Sequence, residues 1–326
     1  MRSRTSILAA AIIFLATIAL TQLAFADALR GTLVSEETIR IAPSADAARV
    51  GDANRGNELI ILSTSGNWVN VQAILRVPSN DEDATEEEAE GKTVTGWVAS
   101  RGVVLSTTQD GDKIIFGEAA DSEDQASTRR GRRDAAQDAL RLYYRIYDLM
   151  PTSPLGAEGL YRAADIRWQI ERADVMSRPS AHQRESYMRG QMKEEWMKLV
   201  IKKYPGTKWA DLAAYRLLEN KLCGDWEGLS KCPDKEADLY ENYAKEHPQS
   251  PAAPEALYDA AWRRSALIEM YKNEPNLKKS AESKDRALSL AQKVISQYGQ
   301  SDWALRTQRL IFYIQQGIPT YGNTND

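Results

Sequence analysis

Histidine and cysteine are scarce in this chain of 326 residues, which contains two of each. A histidine-rich metal site and a cysteine cluster around zinc or an iron–sulfur centre are therefore excluded. The chain also lacks a basic surplus, because 42 Lys and Arg face 46 Asp and Glu and the net charge is −4. A dedicated nucleic-acid-binding protein normally carries such a surplus. We therefore predict no metal, no cofactor and no nucleic-acid partner.

The common catalytic motifs are missing as well. The sequence contains no G-x-S-x-G nucleophile elbow, no phosphate-binding loop and no H-E-x-x-H motif. A nucleophile could use only His182 or His247 as its base, and the position of His247 before Pro248 favours a structural role. A pair of carboxylates in a cleft, as in a cell-wall glycosidase, stays open as an alternative. The balance favours a protein that is not an enzyme.

The N-terminus has the organisation of a secretory signal peptide, which we place at residues 1–26. Arg2 and Arg4 precede an apolar run over residues 7–20, and Ala24-Phe25-Ala26 matches the A-x-A pattern of a signal peptidase site. We predict a cleaved signal and a mature chain exported to the periplasm or cell envelope. The alternative is an uncleaved anchor, because a helix of about 20 apolar residues spans a bilayer. The membrane would then be a partner only through this segment.

The two cysteines lie close together in the chain, at Cys223 and Cys232. In an oxidising compartment, an even number of cysteines at short separation favours a disulfide. Their spacing differs from the C-x-x-C of redox motifs and zinc sites. We predict a structural disulfide, with a pair of free thiols as the alternative.

Residues 28–106 have the pattern of a small β domain. Short segments rich in β-branched and aromatic residues are separated by Gly, Pro, Asn and Ser turns. The segments are LRGTLV, TIRIA, ELIILS, WVNVQA and TVTGWVAS. Several short strands in a domain of this size favour a small barrel, because closure removes exposed sheet edges.

The order of motifs in this region resembles a bacterial SH3-like (SH3b) domain. It runs TIRIAPS, ARVG, RGNELIIL, GNWVNV and GWVAS, and Trp68 and Trp97 fall on the two tryptophan positions of that family. The resemblance implies an all-β SH3-like barrel that is not catalytic and binds peptides, often of the cell wall, or acts as a spacer. Trp68, Trp97 and Arg40 are therefore candidate ligand-binding residues. The alternatives are tryptophans that fill the barrel core and an arginine that is merely solvated.

Two polar segments interrupt or follow the β domain. An insertion at 77–92 splits its last hairpin and carries DEDATEEEAE at 81–90, which we predict as a mobile hairpin tip. Residues 107–133 are polar and turn-rich and are predicted as a linker. Within it, Ile114-Ile115-Phe116 is a short apolar island that predicts either an extra strand or a docking point onto the helices.

Residues 134–317 contain an internal repeat of helix junctions. In each copy a Pro, replaced once by Gly299, is followed by Ser or Thr two residues later and then by a small residue. The proline ends one helix, and the Ser or Thr is placed to cap the next. The copies are MPTSPLGAEGLYRAA, YPGTKWADLAAYRLL, HPQSPAAPEALYDAA and YGQSDWALRTQRLI.

Apolar periodicity predicts about eight helices in this region, packed as an antiparallel array. They are expected near 134–149, 154–174, 182–204, 208–221, 234–247, 252–273, 277–298 and 302–316. The region resembles the tetratricopeptide-like repeats of exported bacterial proteins and is most similar to outer-membrane assembly lipoproteins and cell-division coordinators. The cysteine that would carry the lipid in the former is absent. Residues 318–326 are predicted as a tail.

This resemblance implies a concave surface that binds partners, with internal packing as the alternative role of its residues. The candidate lining residues are Tyr161, Trp168, Trp209, Tyr215, Tyr258, Trp262 and Arg263. Taken together, the two resemblances predict an exported, non-enzymatic adaptor or scaffold that binds an envelope protein or peptide, with peptidoglycan as a further candidate ligand. The alternatives are a peptidoglycan-active hydrolase, or an accessory subunit of one, and a protein in which the barrel is only a spacer.

Overall fold

The computed structural model describes residues 28–76 and 91–321. The predicted signal peptide and the acidic segment 81–90 therefore lie outside the described residues. The chain forms two compact units. The first holds the described residues up to Ala53 together with Asn57–Ser106, and the second holds Asn54–Gly56 and the described residues from Thr107 onward. Among the described helices, none is both long enough and apolar enough to span a membrane.

The first unit is a single antiparallel sheet with the strand order β3-β2-β6-β5-β4-β1-β7. All five predicted strands are present, together with β3 and β7. The sequence of β3 contains Gly51-Asp52, which has the composition of a turn, and β7 is only three residues long. The strands are β1 Arg30–Leu33, β2 Glu37–Arg40, β3 Arg49–Ala53, β4 Glu58–Ser65, β5 Trp68–Arg76, β6 Gly91–Ala99 and β7 Val103–Leu105.

The sheet is not closed into a barrel, so the prediction of a closed barrel was wrong. Closure would require the first and last strands of the sheet to pair with each other. In the described residues, β3 pairs with β2 and β7 pairs with β1, and both strands remain edges. The described residues show no ladder between β3 and β7, so each of these strands is paired on one side only.

One face of this sheet carries an aliphatic core. Side chains alternate between the two faces along a strand, so Val69 and Val71 of β5 are buried while Trp68 points to the other face. Trp97 likewise alternates with the buried Val98 of β6. The alternative that both tryptophans fill the core is therefore wrong, and both are half-buried on the opposite face. The core residues are Leu33, Ile39, Ala53, Leu59, Val69, Val71, Ala73, Val94 and Val98.

The described part of the second unit contains nine α-helices. Eight of them correspond to the predicted helices, and α4 is shorter than expected because short 3-10 turns at Pro179–His182 and Ser186–Met188 precede it. The helices are α1 Gly111–Ser127, α2 Ala135–Leu149, α3 Gly156–Ser177, α4 Glu195–Lys203, α5 Lys208–Arg216, α6 Lys231–Glu246, α7 Ala253–Asn273, α8 Leu277–Gln297 and α9 Asp302–Gln316.

Helix α1 occupies most of the segment that was predicted as a linker. Its Ile115 and Ala119 are fully buried, and Phe116 packs edge-on against Tyr143 of α2 with ring centroids 5.3 Å apart. The apolar island is therefore part of a helix rather than an extra strand. Only a few buried residues lie among many acidic ones, which made the helical period too sparse to recognise.

The junctions of the sequence repeat share one backbone geometry. The residue after each helix is Met150, Tyr204, His247 or Tyr298, with φ between −130° and −123° and ψ between 35° and 64°. In every copy the carbonyl of that residue accepts a hydrogen bond from the N–H three positions later, at 2.9, 3.4, 3.0 and 2.9 Å. Gly299 replaces proline without changing this geometry. The internal repeat of the sequence is therefore also a structural repeat.

The predicted caps differ among the copies. Thr207 caps α5 as expected, since its Oγ1 accepts a hydrogen bond from the N–H of Ala210 at 3.2 Å. Ser153 and Ser250 instead accept from the N–H two residues ahead, within the turn that precedes the helix. The Oγ of Ser301 donates back to the carbonyl of Tyr298 at 2.7 Å. Only the threonine copy is therefore a true N-cap.

Candidate functional site

A groove of about 580 Å³ opens between α7, α9 and the C-terminal segment. We call it the α7–α9 groove. Its volume lies in the range of sites that bind small ligands or a few residues of a peptide. Four of its lining residues are aromatic and three are arginines. The lining residues are Tyr258, Asp259, Trp262, Arg263, Trp303, Arg306, Arg309, Leu310, Tyr313 and Thr320.

Helical spacing places these side chains on two facing stripes. On α9, Trp303, Arg306, Leu310 and Tyr313 follow each other at intervals of three and four residues, so they share one face. Buried Leu and Ala residues of α7, α8 and α9 form one common core cluster behind the stripes. The packing of that cluster holds the two walls of the groove together.

Aromatic rings line the walls and orient the exposed arginines. Tyr258 of α7 and Trp303 of α9 meet across the groove with ring centroids 5.1 Å apart. The guanidinium of Arg306 lies 4.8 Å from the ring centroid of Trp303. That of Arg309 lies 5.2 Å from the ring centroid of Tyr313, and Arg309 Nε donates to the Tyr313 hydroxyl at 2.8 Å. Cation–π contacts therefore hold two positive charges along the rim.

The third arginine belongs to the floor and is neutralised there. Arg263 is only 9% exposed, and its Nε donates to Oε2 of the buried Glu236 at 2.7 Å. Its Nη1 lies 3.4 Å from Oδ1 of Asp259, and its guanidinium stacks 4.4 Å from the ring centroid of Tyr240. A buried charge needs such partners. Arg263 therefore supports the groove rather than offering a positive charge to a ligand.

Asp259 is the carboxylate that lines the groove. Burial raises the pKa of Asp259, while the nearby Arg263 and the Tyr215 hydroxyl, 3.2 Å from Oδ2, favour the charged form and partly oppose the rise. Burial also raises the pKa of Glu255, one turn earlier on α7, and the charge of Asp259 adds to that rise. Asp259 in the groove lining and Glu255 one turn before it on α7 therefore bind protons more readily than usual.

The predicted disulfide between Cys223 and Cys232 is confirmed, with a Cα–Cα distance of 6.0 Å. The loop that it closes contacts the groove from behind. Trp226 of this loop packs against Trp262 with ring centroids 5.2 Å apart. Oε1 of Glu236 accepts hydrogen bonds from the Cys223 N–H at 2.8 Å and from Trp226 Nε1 at 3.3 Å. The same carboxylate also accepts a hydrogen bond from Arg263, so Glu236 connects the disulfide loop to the floor of the groove.

Glu185, Cys223 and Cys232 form the one group of His, Cys, Asp or Glu in the described residues whose ligand atoms lie close enough together to hold a metal ion. The two sulfur atoms are bonded to each other in the disulfide. They are therefore not the thiolates that a metal would need. The group does not support a metal site.

The two histidines lie outside the groove. His182 is exposed in a 3-10 turn. His247 ends α6, where its Nδ1 is 2.8 Å from Oδ1 of Asp211 and its ring stacks on Tyr243 with centroids 4.8 Å apart. These contacts explain the position of His247 within a repeated junction.

The predicted lining residues of the helical unit fall into three groups. Tyr258, Trp262 and Arg263 line the α7–α9 groove, and Tyr215 reaches it through its hydroxyl contact with Asp259. Trp168 is only 1% exposed, and its Nε1 donates to Glu219 at 2.9 Å. Trp168 is therefore a core residue and not part of a binding surface.

Tyr161 and Trp209 form a separate aromatic pair between α3 and α5, with ring centroids 5.4 Å apart. Both are half-buried, and Lys208 lies over the Trp209 ring at 4.3 Å. Burial raises the pKa of Tyr161 to about 12. The structure does not bring this pair into the groove.

In the first unit, Trp97 lies directly opposite Arg40 of β2 on one side and Asn70 of β5 on the other. Trp68 is two residues from Asn70 and so shares its face. Arg40 Nη1 donates to the carbonyl of Ala47 at 2.8 Å, and Asn70 Oδ1 is buried with no hydrogen-bond partner among the described residues. The three predicted candidates of this unit therefore share one half-buried face of the sheet.

Sequence reasoning missed the wall that α9 contributes. The signal was present, because Trp303, Arg306 and Tyr313 recur at the same intervals that identified the other helical faces. The role of Trp226 carried no such signal, since it lies in a loop whose position depends on the disulfide and on α7.

The fold and the groove define the class of this protein. It consists of an antiparallel sheet followed by a helical region, and the helical region carries a groove lined by aromatic residues and edged by arginines. Comparisons with known families and with curated proteins found no family model and no curated protein that matches the chain.

Proposed function

We propose that this chain is an exported, non-enzymatic adaptor whose helical unit binds a peptide segment of an envelope partner in the α7–α9 groove. The observation that carries the proposal is the groove itself, where four aromatic rings and two exposed arginines lie on the walls of adjacent elements. Aromatic residues and arginine are the types most enriched where proteins bind each other.

The sequence resemblances support the remaining parts of the proposal. The repeated helix junctions agree with a tetratricopeptide-like array, and the motif order of the first unit with an SH3-like domain. The face that presents Trp68, Trp97 and Arg40 is proposed as a second contact, with wall peptide or peptidoglycan as its ligand. The A-x-A signal and the disulfide favour the periplasm or cell envelope.

A peptidoglycan hydrolase is the second candidate, and the raised pKa of Asp259 is the observation that favours it, because perturbed carboxyl groups are common in active sites. A glycosidase of the usual kind needs two carboxylates that flank the bond. Among the residues that the structure describes, Asp259 is the only carboxylate that lines the groove. The adaptor is therefore the better supported function.

Peptide display on phage tests the adaptor. The purified exported chain is the bait, and the selected phage are then measured on a Trp303→Leu variant and on a Phe312→Ala control. Phe312 is 54% exposed on the same helix and is not part of the groove lining. Selected peptides should lose binding to the Trp303 variant and keep binding to the control, with both variants checked for native helical content.

The outcomes separate the candidates. Failure to enrich any peptide that depends on Trp303 would contradict the adaptor, and an exposed-residue variant, Arg306→Gln, repeats the test without touching the core. Zymography on purified cell wall tests the alternative, because a cleared band that disappears in an Asp259→Asn variant would indicate a hydrolase.

A further inference from the structure

The most exposed charged residues of the α7–α9 groove are arginines. Its charged lining residues are Asp259, Arg263, Arg306 and Arg309. Asp259 and Arg263 contact each other at 3.4 Å on the floor, and Glu236 beneath them completes the compensation of Arg263. The two exposed charged residues of the lining are Arg306 and Arg309, whereas Asp259 is partly buried.

Arg306 is held in a conformation that can receive an anion. Its guanidinium stacks on Trp303 and forms no ion pair within 4 Å in the described part of the chain, although its charge partly offsets the raised pKa of Glu255 on α7. Stacking uses the flat face of a guanidinium and leaves the in-plane N–H groups, which bind carboxylates in a bidentate manner. Arg309 lies three positions further along α9 and therefore on the same side of the helix. A ligand in the groove meets both arginines.

The opposite wall of the groove suits an uncharged group. Tyr258 and Trp262 are half-buried there, and the floor beneath them offers no uncompensated positive charge. An apolar or aromatic side chain placed on these rings would bury its surface next to the arginine rim. The groove thus combines an apolar wall with a cationic edge.

We infer that the peptide bound in the α7–α9 groove is acidic, with carboxylate side chains on Arg306 and Arg309 and an apolar side chain between them on the aromatic wall. The inference rests on the proposed function and names the chemistry of its partner. The occupant is a segment of a protein rather than a lipid surface, because the cationic residues edge a concave, ring-lined cavity instead of forming a flat basic face.

Fluorescence anisotropy with a labelled short peptide tests the inference. The probe carries two Glu residues that flank Leu-Phe, and the matched control peptide carries Gln in place of Glu. We expect the Glu peptide to bind about tenfold more tightly, since charge-assisted hydrogen bonds are the strong ones. Its affinity should fall as salt is raised from about 0.1 M to about 1 M, because the Debye length shrinks from about 10 Å to about 3 Å.

The protein variants form a cycle with the two peptides. Arg306→Gln should weaken the Glu peptide about tenfold and leave the Gln peptide unchanged. Arg129→Gln is the matched control, because Arg129 is also exposed, lies in the turn after α1 and is not part of the groove lining. Equal affinity of the two peptides, or an equal loss in Arg129→Gln, would overturn the inference.

The display experiment separates this inference from the proposed function. If the selected peptides depend on Trp303 but are neutral or basic, the adaptor function stands and the acidic ligand is wrong. If soluble cell-wall fragments displace the Glu probe while acidic peptides compete poorly, the occupant is a wall component and the inference is also wrong. If nothing binds in a Trp303-dependent manner, the proposed function itself fails.

Discussion

Loss of the Cys223–Cys232 disulfide should destabilise the helical unit and weaken binding in the α7–α9 groove. The bond closes a short loop, since the cysteines are nine positions apart. On the chain-entropy model, a loop of that length stabilises the folded state by about 2.6 kcal/mol at 25 °C. For a unit of this size, 1 kcal/mol shifts the melting temperature by about 2–4 °C, so the expected decrease is about 5–10 °C.

Binding should respond through the contacts of the loop. Trp226 packs on Trp262, and the N–H of Cys223 holds Glu236, which also holds Arg263. An aromatic pair contributes about 0.5–1.5 kcal/mol beyond its buried area. Release of the loop is therefore expected to weaken a groove-bound peptide about threefold to tenfold.

The assay compares thermal unfolding by circular dichroism for the oxidised protein, the reduced protein and the double variant Cys223→Ser/Cys232→Ser. Reduction keeps both side chains, so it separates loss of the bond from the effect of serine hydroxyls at two buried sites. Reductant should not change the double variant further. An oxidised protein that melts at the same temperature as the reduced one would refute the reasoning.

Three further predictions concern stability, each measured as the free energy of unfolding in urea. Ile115→Ala in α1 should destabilise the protein by about 2–5 kcal/mol because the side chain is fully buried. Ile114→Ala, at a site that is 43% exposed, should be nearly neutral. Equal effects of the two variants would mean that α1 does not pack as described. Thr207→Ala should cost about 1 kcal/mol and Ser301→Ala less, because only the threonine caps its helix, and a larger loss at the serine would contradict this. Because the pKa of Glu255 is raised, the folded state binds a proton at this carboxyl more tightly than the unfolded state does. The stability of the wild type relative to Glu255→Gln should therefore fall as pH rises above about 4.5. An increase in relative stability over that pH range would contradict this prediction.

Local features of this protein could be predicted because they depend on residues that are close together in the chain. The repeated junctions end each helix next to a proline or to Gly299, and the four copies share their backbone geometry. The disulfide followed from two nearby cysteines. Helix α1 was not predicted, because its few apolar residues give too weak a helical pattern in the local sequence.

The topology of the sheet could not be predicted from the local sequence pattern. Alternation along β5 and β6 indicated that one face is buried, but not that the aliphatic side chains would occupy it and leave Trp68 and Trp97 outside. Closure depended on whether the two terminal strands, β3 and β7, would pair with each other, and they do not pair in the described residues. Both outcomes depend on pairings between residues far apart in sequence.

The candidate site was determined partly by the local sequence and partly by the tertiary structure. The sequence alone determined that Tyr258 and Trp262 share one face of a helix, because residues four positions apart lie on the same side at 3.6 residues per turn. Only the tertiary structure brought Trp303 and Arg306 to the opposite wall, through the packing of α8 against both α7 and α9. The tertiary structure also decided that the charge of Arg263 is compensated by buried carboxylates, whereas Arg306 is exposed. Burial and charge compensation are properties of the assembled helices, and no single segment of the chain contains them.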